Sequence, residues 1–97
     1  MNTYIMLINW TDKGAGDVSS SPGRLDAAKK MLGELGGSFK AFYMTIGKYD
    51  LVAVVEAPDD EAAAQFLLKI GTTGNIRTHT MKAFPEAKYR EIFAALS

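Results

Sequence analysis

The stretch from Ser38 to Ala57, S-F-K-A-F-Y-M-T-I-G-K-Y-D-L-V-A-V-V-E-A, decides the fold. Its two halves, residues 38–45 and 50–57, have the aromatic and β-branched composition that is typical of strands. The connection around Gly47 and Lys48 is too short for the crossover that two parallel strands need. The stretch therefore predicts an antiparallel hairpin with a tight turn, in which glycine takes a positive φ at low cost.

Helical patterns flank this hairpin on both sides. The first predicted helix starts with Ser21 as its cap and Pro22 as its first residue, and it ends at Gly36. The second starts at Pro58 with three acidic residues, which favour the positive end of a helix dipole. The predicted buried stripes are Leu25, Ala28, Met31, Leu32 and Leu35 in the first helix, and Ala63, Phe66, Leu67 and Ile70 in the second.

Two further strands lie outside the helices, at residues 3–10 and 76–84, and a short last helix begins at Pro85. The segment 12–21 is predicted to be a loop. The order of elements is then strand, helix, strand, strand, helix, strand, helix, which contains two split βαβ units. Right-handed crossovers leave the ferredoxin-like βαββαβ sandwich as the solution, an α+β fold with a C-terminal helix in a single domain, residues 1–97.

The strands are apolar on both faces, although two helices can cover only one face of a four-stranded sheet. In the first strand Tyr4, Met6 and Ile8 alternate with Ile5 and Leu7. An uncovered apolar face as large as one side of a four-stranded sheet usually marks an interface on a soluble protein. We expect a second copy to cover it, sheet on sheet, as in a dimeric α/β barrel or a higher even oligomer. The alternative is that the C-terminal helix folds back over the face.

Composition excludes several classes of protein. The 97 residues contain 11 Lys plus Arg and 11 Asp plus Glu, so the net charge is zero, which argues against nucleic acid or a membrane surface as the partner. No targeting segment or membrane span is recognisable, so we expect a cytoplasmic protein. The chain has no cysteine, which excludes disulfides and thiol catalysis. It has only one histidine, so few side chains could ligate a metal ion. We expect neither a metal nor a cofactor.

The chain resembles the GYD domain family of small prokaryotic proteins. The resemblance lies in Gly47-Lys48-Tyr49-Asp50 after the second strand, and in further segments that cover nearly the whole chain in order. These segments are I-N-W-T-D, S-P-G-R-L-D-A-A-K-K, L-G-G, F-Y-M-T-I-G-K-Y-D, V-E-A-P-D-D-E and G-N-I-R-T-H-T-M-K-A-F. The resemblance implies a ferredoxin-like domain of the dimeric α/β barrel group and assigns no biochemical role.

The strand that ends in G-K-Y-D and continues into a valine-rich strand also looks like the effector domains of the feast/famine amino-acid-responsive regulators. That resemblance implies a small ligand bound between subunits near the turn. The helix-turn-helix domain of those regulators is not recognisable in this chain, so a DNA-binding role is not implied.

Few side chains are candidates for chemistry. Asp50 is either a ligand group or general base, or an acceptor for backbone N–H groups of the turn, and Tyr49 either donates to a ligand or packs at the dimer seam. His79 is either a proton-transfer group or a half-exposed strand residue. The predicted mouth of a ligand pocket comprises Trp10, Tyr43, Tyr49, Asp50 and His79, with Asp50 or Arg77 fixing the polar end of the ligand.

Three functions remain open from the sequence. The leading one is a homodimeric binding domain for a small aromatic or amino-acid-like ligand. The second is a cofactor-free isomerase or oxygenase for an aromatic or quinone-like substrate, with Asp50, His79 and Tyr49 as the catalytic candidates. The third is an assembly module whose only ligand is itself.

Overall fold

The computed structural model describes all 97 residues and contains four strands and four α-helices. The elements are β1 (Asn2–Trp10), α1 (Asp12–Gly16), α2 (Ser21–Glu34), β2 (Ser38–Met44), β3 (Leu51–Ala57), α3 (Asp60–Thr72), β4 (Ile76–Ala83) and α4 (Glu86–Ala94). A 3₁₀ turn, Val18–Ser20, precedes α2.

The four strands form one antiparallel sheet in the order β2-β3-β1-β4. Since β1 and β3 are the two central strands and the helices connect β1 to β2 and β3 to β4, this is the ferredoxin-like arrangement predicted from the sequence. The β2–β3 hairpin is also confirmed, although its connection spans residues 45–50 and is longer than the predicted tight turn. Gly47 in this connection has φ +153°, in agreement with the predicted positive value.

One face of the sheet packs under α2 and α3. Tyr4, Met6 and Ile8 of β1 are buried there, and the alternate residues of β3 from Leu51 to Ala57 lie beside them. From the helices, Leu32, Phe66 and Ile70 complete this core. Phe66, Met6 and Leu32 are the largest fully buried side chains, and complete burial of such a residue stabilises the fold by about 1.5–3 kcal/mol.

The opposite face, called the open face below, carries the other set of alternating residues. The strand register places Ile5 and Leu7 of β1 beside Val54 and Val52 of β3, and beside Met81 and His79 of β4. No helix of the chain covers these residues. The C-terminal helix α4 does not fold back over the face, because every residue in it is exposed, including the apolar side chains Tyr89, Ile92 and Phe93.

The prediction of a loop over residues 12–21 is wrong, because α1 and the 3₁₀ turn occupy this segment. The Thr11 hydroxyl oxygen accepts a hydrogen bond from the Gly14 backbone N–H at 3.2 Å and so caps α1. Gly14 is buried against the chain before β4, and a Cβ placed there would overlap the carbonyl oxygen of Asn75. Gly14, one of the glycines that suggested a loop, thus allows close packing of a short helix.

A polar network at the start of α3 ties that helix to the sheet. The Asp60 carboxylate accepts hydrogen bonds from the Tyr4 hydroxyl, from Lys82 Nζ at 3.2 Å and from Asn2 Nδ2 at 3.4 Å. The hydrogen bond from Tyr4, followed by that from Lys82, lowers the pKa of Asp60. Burial, reinforced by the hydrogen bond to Asp60, raises the pKa of Tyr4. One carboxylate therefore joins α3 to both β1 and β4.

Replacing Gly14 by alanine tests the close packing of α1. We expect Gly14→Ala to destabilise the fold by about 1–3 kcal/mol, since backbone must move to admit the methyl group. Gly16→Ala is the matched control in the same helix, because a Cβ there meets nothing within 4 Å. Urea unfolding of the two variants measures the difference, and equal stabilities would show that α1 does not pack as described.

The Asp60 network predicts a dependence of stability on pH. The folded-state pKa of Asp60 is lower than its unfolded-state pKa, so its contribution is complete above the ordinary aspartate pKa of about 3.9. That contribution is lost as the pH falls through the lowered folded-state value. We expect the decrease in melting temperature between about pH 6 and about pH 2 to be smaller for Asp60→Asn than for the wild type. Asp26→Asn, which removes an exposed carboxylate outside any ion pair, should leave the decrease unchanged.

Candidate functional site

Asp50 joins the β2–β3 connection to the end of β1. Its Oδ2 accepts a hydrogen bond from the Trp10 backbone N–H at 3.0 Å. Its own N–H donates to the Ile8 carbonyl oxygen at 2.9 Å and to Asn9 Oδ1 at 3.2 Å. The carboxylate therefore accepts a backbone N–H, as in the structural alternative considered from the sequence, but the donor is on β1 and not in the turn.

Tyr49 and His79 meet at the open face. Their ring centroids lie 6.0 Å apart with an interplanar angle of 66°, which is an edge-to-face arrangement. His79 lies on the edge strand β4 opposite Leu7 of β1, and its side chain is exposed. Because Tyr49 reaches a strand that is not a neighbour of β2 or β3, the connection crosses the end of β1 on this side of the sheet.

The other two candidates on the open face are far from each other. Arg77 lies on β4 opposite Asn9, and Tyr43 lies on β2 opposite Val52. Since β2 and β4 are the two edges of the sheet, these side chains start three strand spacings apart, about 14 Å. The structure brings Tyr49 and His79 together, with Asp50 and Arg77 close to them along the chain, and it leaves Tyr43 at the opposite edge.

Trp10 lies on the other side of the sheet. Trp10 continues the alternate set Tyr4, Met6 and Ile8 of β1, so its side chain lies on the same face of the sheet as theirs. It packs against the core under the helices. Its indole Nε1 is buried and has no hydrogen-bond partner, the one such side-chain atom in the protein. The predicted set of pocket residues is thus divided by the sheet, with Trp10 on the helix side and Tyr43, Tyr49, Arg77 and His79 on the open side.

A cleft of about 290 Å³ adjoins Trp10 between the start of α2 and the sheet. An inner cavity of about 60 Å³ continues it beneath α2, and the two have Ser21, Leu25, Phe42 and Leu51 as common lining residues. We call this combined space the helix–sheet cleft. Apart from Trp10 its polar lining residues are Ser21 and Arg24, and neither was a candidate from the sequence. Arg24 stands four residues before Ala28 and so on the apolar side of α2, which is the signal that could have identified it.

A larger groove of about 520 Å³ lies between the start of β1, the end of β4 and α4. Its outer wall is α4, whose residues are all exposed, so the groove depends on a helix that nothing else supports.

No group of three or more histidine, aspartate or glutamate side chains is placed to hold a metal ion. None of the four helices has both the length and the apolar character needed to cross a membrane.

Comparison with known proteins gives one family and one fold. The family model of the GYD domain matches residues 4–93. A protein from Thermus thermophilus named glutamine synthetase and cystathionine beta-lyase binding protein is 35% identical over 88 residues, which make up 90% of this chain and 93% of the relative.

Solved structures agree on the ferredoxin-like fold. A feast or famine regulatory protein from M. tuberculosis, solved with L-methionine, matches 88% of this chain with a TM-score of 0.65 and 21% identity, and the match spans about half, 51%, of that protein. A structure of a second protein, from Thermus thermophilus, matches 88% of this chain and 95% of its own, with a TM-score of 0.56 and 28% identity.

Substitutions at Asp50 distinguish a structural carboxylate from a reactive one. Asp50→Asn keeps an acceptor for the Trp10 N–H, so we expect little change in stability, whereas Asp50→Ala should cost about 1 kcal/mol through the lost hydrogen bond. Chemical denaturation measures both values. If both variants are as stable as the wild type, the carboxylate does not hold β1 and is free for another role.

Proposed function

The chain belongs to the GYD domain family, and we propose that it is a homodimeric small-molecule-binding protein without catalytic chemistry of its own. The observation that carries the proposal is the helix–sheet cleft, an apolar space that extends under α2 and has Trp10 in its outer lining. Ligand sites are usually concave and apolar, with a few polar groups that fix the orientation of the ligand.

The size of the cleft is sufficient for a small ligand. A dry apolar cavity of roughly 150 Å³ accepts benzene, and sites for drug-sized molecules start at roughly 300 Å³. The helix–sheet cleft, with about 290 Å³ in its outer part alone, has room for one aromatic ring and a short chain.

The candidates for catalysis do not form an acid–base site around this cleft. Asp50 Oδ2 is occupied by the Trp10 backbone N–H, and His79 packs against Tyr49 on the opposite side of the sheet. Neither residue lines the cleft. A general base must reach the proton that it abstracts, and nothing that lines the cleft can titrate near neutral pH. This arrangement favours binding over the isomerase or oxygenase alternative.

The open face supports the homodimer. Four strands of seven to nine residues form a face of roughly 20 by 25 Å, with Ile5, Leu7, Val52 and Val54 at its centre. Apart from the β2–β3 connection at the end of β1, the chain has no element of its own over this face, and the exposed apolar side of α4 adds to the uncovered surface. A two-fold axis through the face would pair it with itself, since an isologous interface needs only a self-complementary patch.

The related Thermus thermophilus protein favours a second kind of binding role, in which the partner is another protein. It is named for binding glutamine synthetase and cystathionine beta-lyase, and the two chains match over nearly their whole lengths. A partner enzyme is therefore the second candidate for this chain. The side chains of Met44 and Ile46, exposed at the hairpin end, would be available to such a partner.

Sedimentation equilibrium tests the dimer. We expect a mass near twice 10.5 kDa, or an even multiple of it, at micromolar concentration. Leu7→Asp should shift the protein to the monomer, because an unpaired carboxylate buried at the seam costs several kcal/mol. Leu68→Asp is the matched control, since Leu68 is 71% exposed on α3, away from the open face, and should leave the mass unchanged. A wild type that remains monomeric at all concentrations contradicts the dimer.

Fluorescence of the single tryptophan tests the cleft. Trp10 is the only tryptophan in the chain, so a ligand in the cleft should change its emission while raising the melting temperature. Aromatic acids, quinones and amino acids form the screen, and a ligand at about one hundred times its dissociation constant should add about 2.7 kcal/mol of stability. Trp10→Phe should weaken binding without loss of fold, because it removes part of the aromatic wall of the cleft and keeps one ring there.

The outcome of this screen separates the two binding roles. If no compound stabilises the protein while glutamine synthetase or cystathionine beta-lyase purified from Thermus thermophilus binds it in sedimentation velocity, the small-molecule proposal fails and the protein-binding role replaces it. If compounds bind without affecting Trp10 emission, the helix–sheet cleft is not their site.

A further inference from the structure

We infer that the C-terminal helix α4 packs its apolar side on a second copy of this chain, so that each copy of the dimer holds the other with its last helix. This contact rests on the proposed function, because it requires the homodimer, and it adds an element that the sheet alone does not supply. The side chains concerned, called the α4 stripe below, are Tyr89, Ile92 and Phe93 of α4 and Leu96 just after it. They are between 39% and 76% exposed.

The α4 stripe faces away from the rest of its own chain. The side of α4 that lines the groove beside the start of β1 consists of Ala87, Lys88 and Glu91. At about 3.6 residues per turn, the stripe lies on the opposite side of the helix. The rings of Tyr89 and Phe93 pack on each other there, with centroids 4.6 Å apart. Since an amphipathic helix turns its apolar side to a core, this orientation indicates a partner outside the chain.

The helix itself also needs a partner. It has nine residues and none of them is buried, whereas helices shorter than about 12 residues are only marginally stable in water without packing. Its two ion pairs, Arg90 with Glu86 at 2.8 Å and Lys88 with Glu91 at 3.5 Å, are exposed, and exposed pairs contribute little. Packing of the α4 stripe on another molecule supplies the stabilisation that its own chain does not provide.

The size of the open face favours a second copy as that partner. A face of roughly 20 by 25 Å, about 500 Å², is smaller than the roughly 800 Å² per protomer that a stable interface buries. Aromatic side chains bury about 150–250 Å² each, and about half of Tyr89 and of Phe93 is exposed, so together with Ile92 and Leu96 the stripe adds roughly 300 Å². The open face and the α4 stripe together reach the size that a stable dimer needs.

Continuity and charge also favour a second copy over a membrane surface. Met81 of β4 lies on the open face and Phe84 joins β4 to α4, and both side chains are exposed, so apolar surface continues along the chain from the open face to the α4 stripe. The helix carries two acidic and two basic residues. It therefore lacks the basic excess of helices that bind anionic lipid.

A matched pair of double variants tests the inference. Tyr89→Gln with Phe93→Gln removes the aromatic part of the stripe, and Lys88→Gln with Glu91→Gln changes the opposite side of the same helix. Glutamine is a good helix former and neither pair alters the net charge, so the variants differ in the side of α4 that they change. In sedimentation equilibrium we expect the Kd of the dimer to rise at least about a hundredfold in the first variant, as for lost interface hot spots, and to stay unchanged in the second.

The outcomes separate the α4 contact from the homodimer itself. If the variant with Tyr89→Gln and Phe93→Gln dimerises as tightly as the wild type, the α4 contact is wrong and the homodimer stands. If that variant keeps the dimer but loses binding to phosphatidylglycerol vesicles or to glutamine synthetase, the stripe serves that partner instead and the inference is overturned. A wild type that is monomeric at all concentrations overturns the proposed homodimer.

Photo-cross-linking identifies the molecule that the stripe touches. Phe93→benzoylphenylalanine in ¹⁵N-labelled protein is mixed with unlabelled wild type, left to exchange subunits, irradiated and digested for mass spectrometry. We expect cross-links from the labelled α4 peptide to unlabelled peptides. Glu91→benzoylphenylalanine is the control and should link only within its own chain, at the start of β1. Absence of links between labelled and unlabelled copies from position 93 overturns the inference even if the Gln variants weaken the dimer.

Discussion

Two central strands with apolar residues on both faces constrain the whole structure. In β1 and β3, the alternation that places Met6 and Ala53 in the core also places Leu7 and Val52 on the opposite face. The chain has two helices long enough to cover one face, and both cover the same one, because right-handed crossovers place them on one side. The proposals for the open face follow from the fact that the strands have more apolar surface than the two helices can cover.

The order and pairing of the elements could be predicted because they depend on local signals. The short connection around Gly47 permits only an antiparallel hairpin, and the apolar stripe of α3 from Ala63 to Ile70 is buried as its spacing indicates. The segment from Asp12 to Gly16 could not be predicted in this way. Its glycines are typical of a loop, and the contact that explains Gly14 is with Asn75, which is distant along the chain.

The candidate site was less predictable than the fold, since side-chain chemistry depends on which side of the sheet each residue takes. Trp10 and His79 are both attractive ligand residues, yet the strand register assigns them to opposite faces. Arg24 was not a candidate, because an arginine near the start of a helix is most often solvated. Its spacing from Ala28 places it on the apolar side of α2, but the space between α2 and the sheet is evident only in the structure.

Asp50 shows how a signature residue can have a structural origin. The carboxylate at the end of G-K-Y-D holds the last residue of β1, and the aromatic residue before it lies across the open face. The connection thereby fixes the end of a central strand and adds an aromatic ring to the surface where a second copy would pack. Two adjacent residues thus contribute to the alignment of β1 and to the composition of the open face.

The most direct test of the central claim is isotope-filtered NMR on an equal mixture of ¹³C-labelled and unlabelled protein. Contacts between copies are then the only source of filtered cross-peaks. The account predicts cross-peaks from the methyl groups of Leu7, Val52 and Val54, the residues at the centre of the open face. The account is contradicted if these methyl groups give no intermolecular cross-peaks. It is also contradicted if intermolecular cross-peaks come only from residues on the helix side of the sheet.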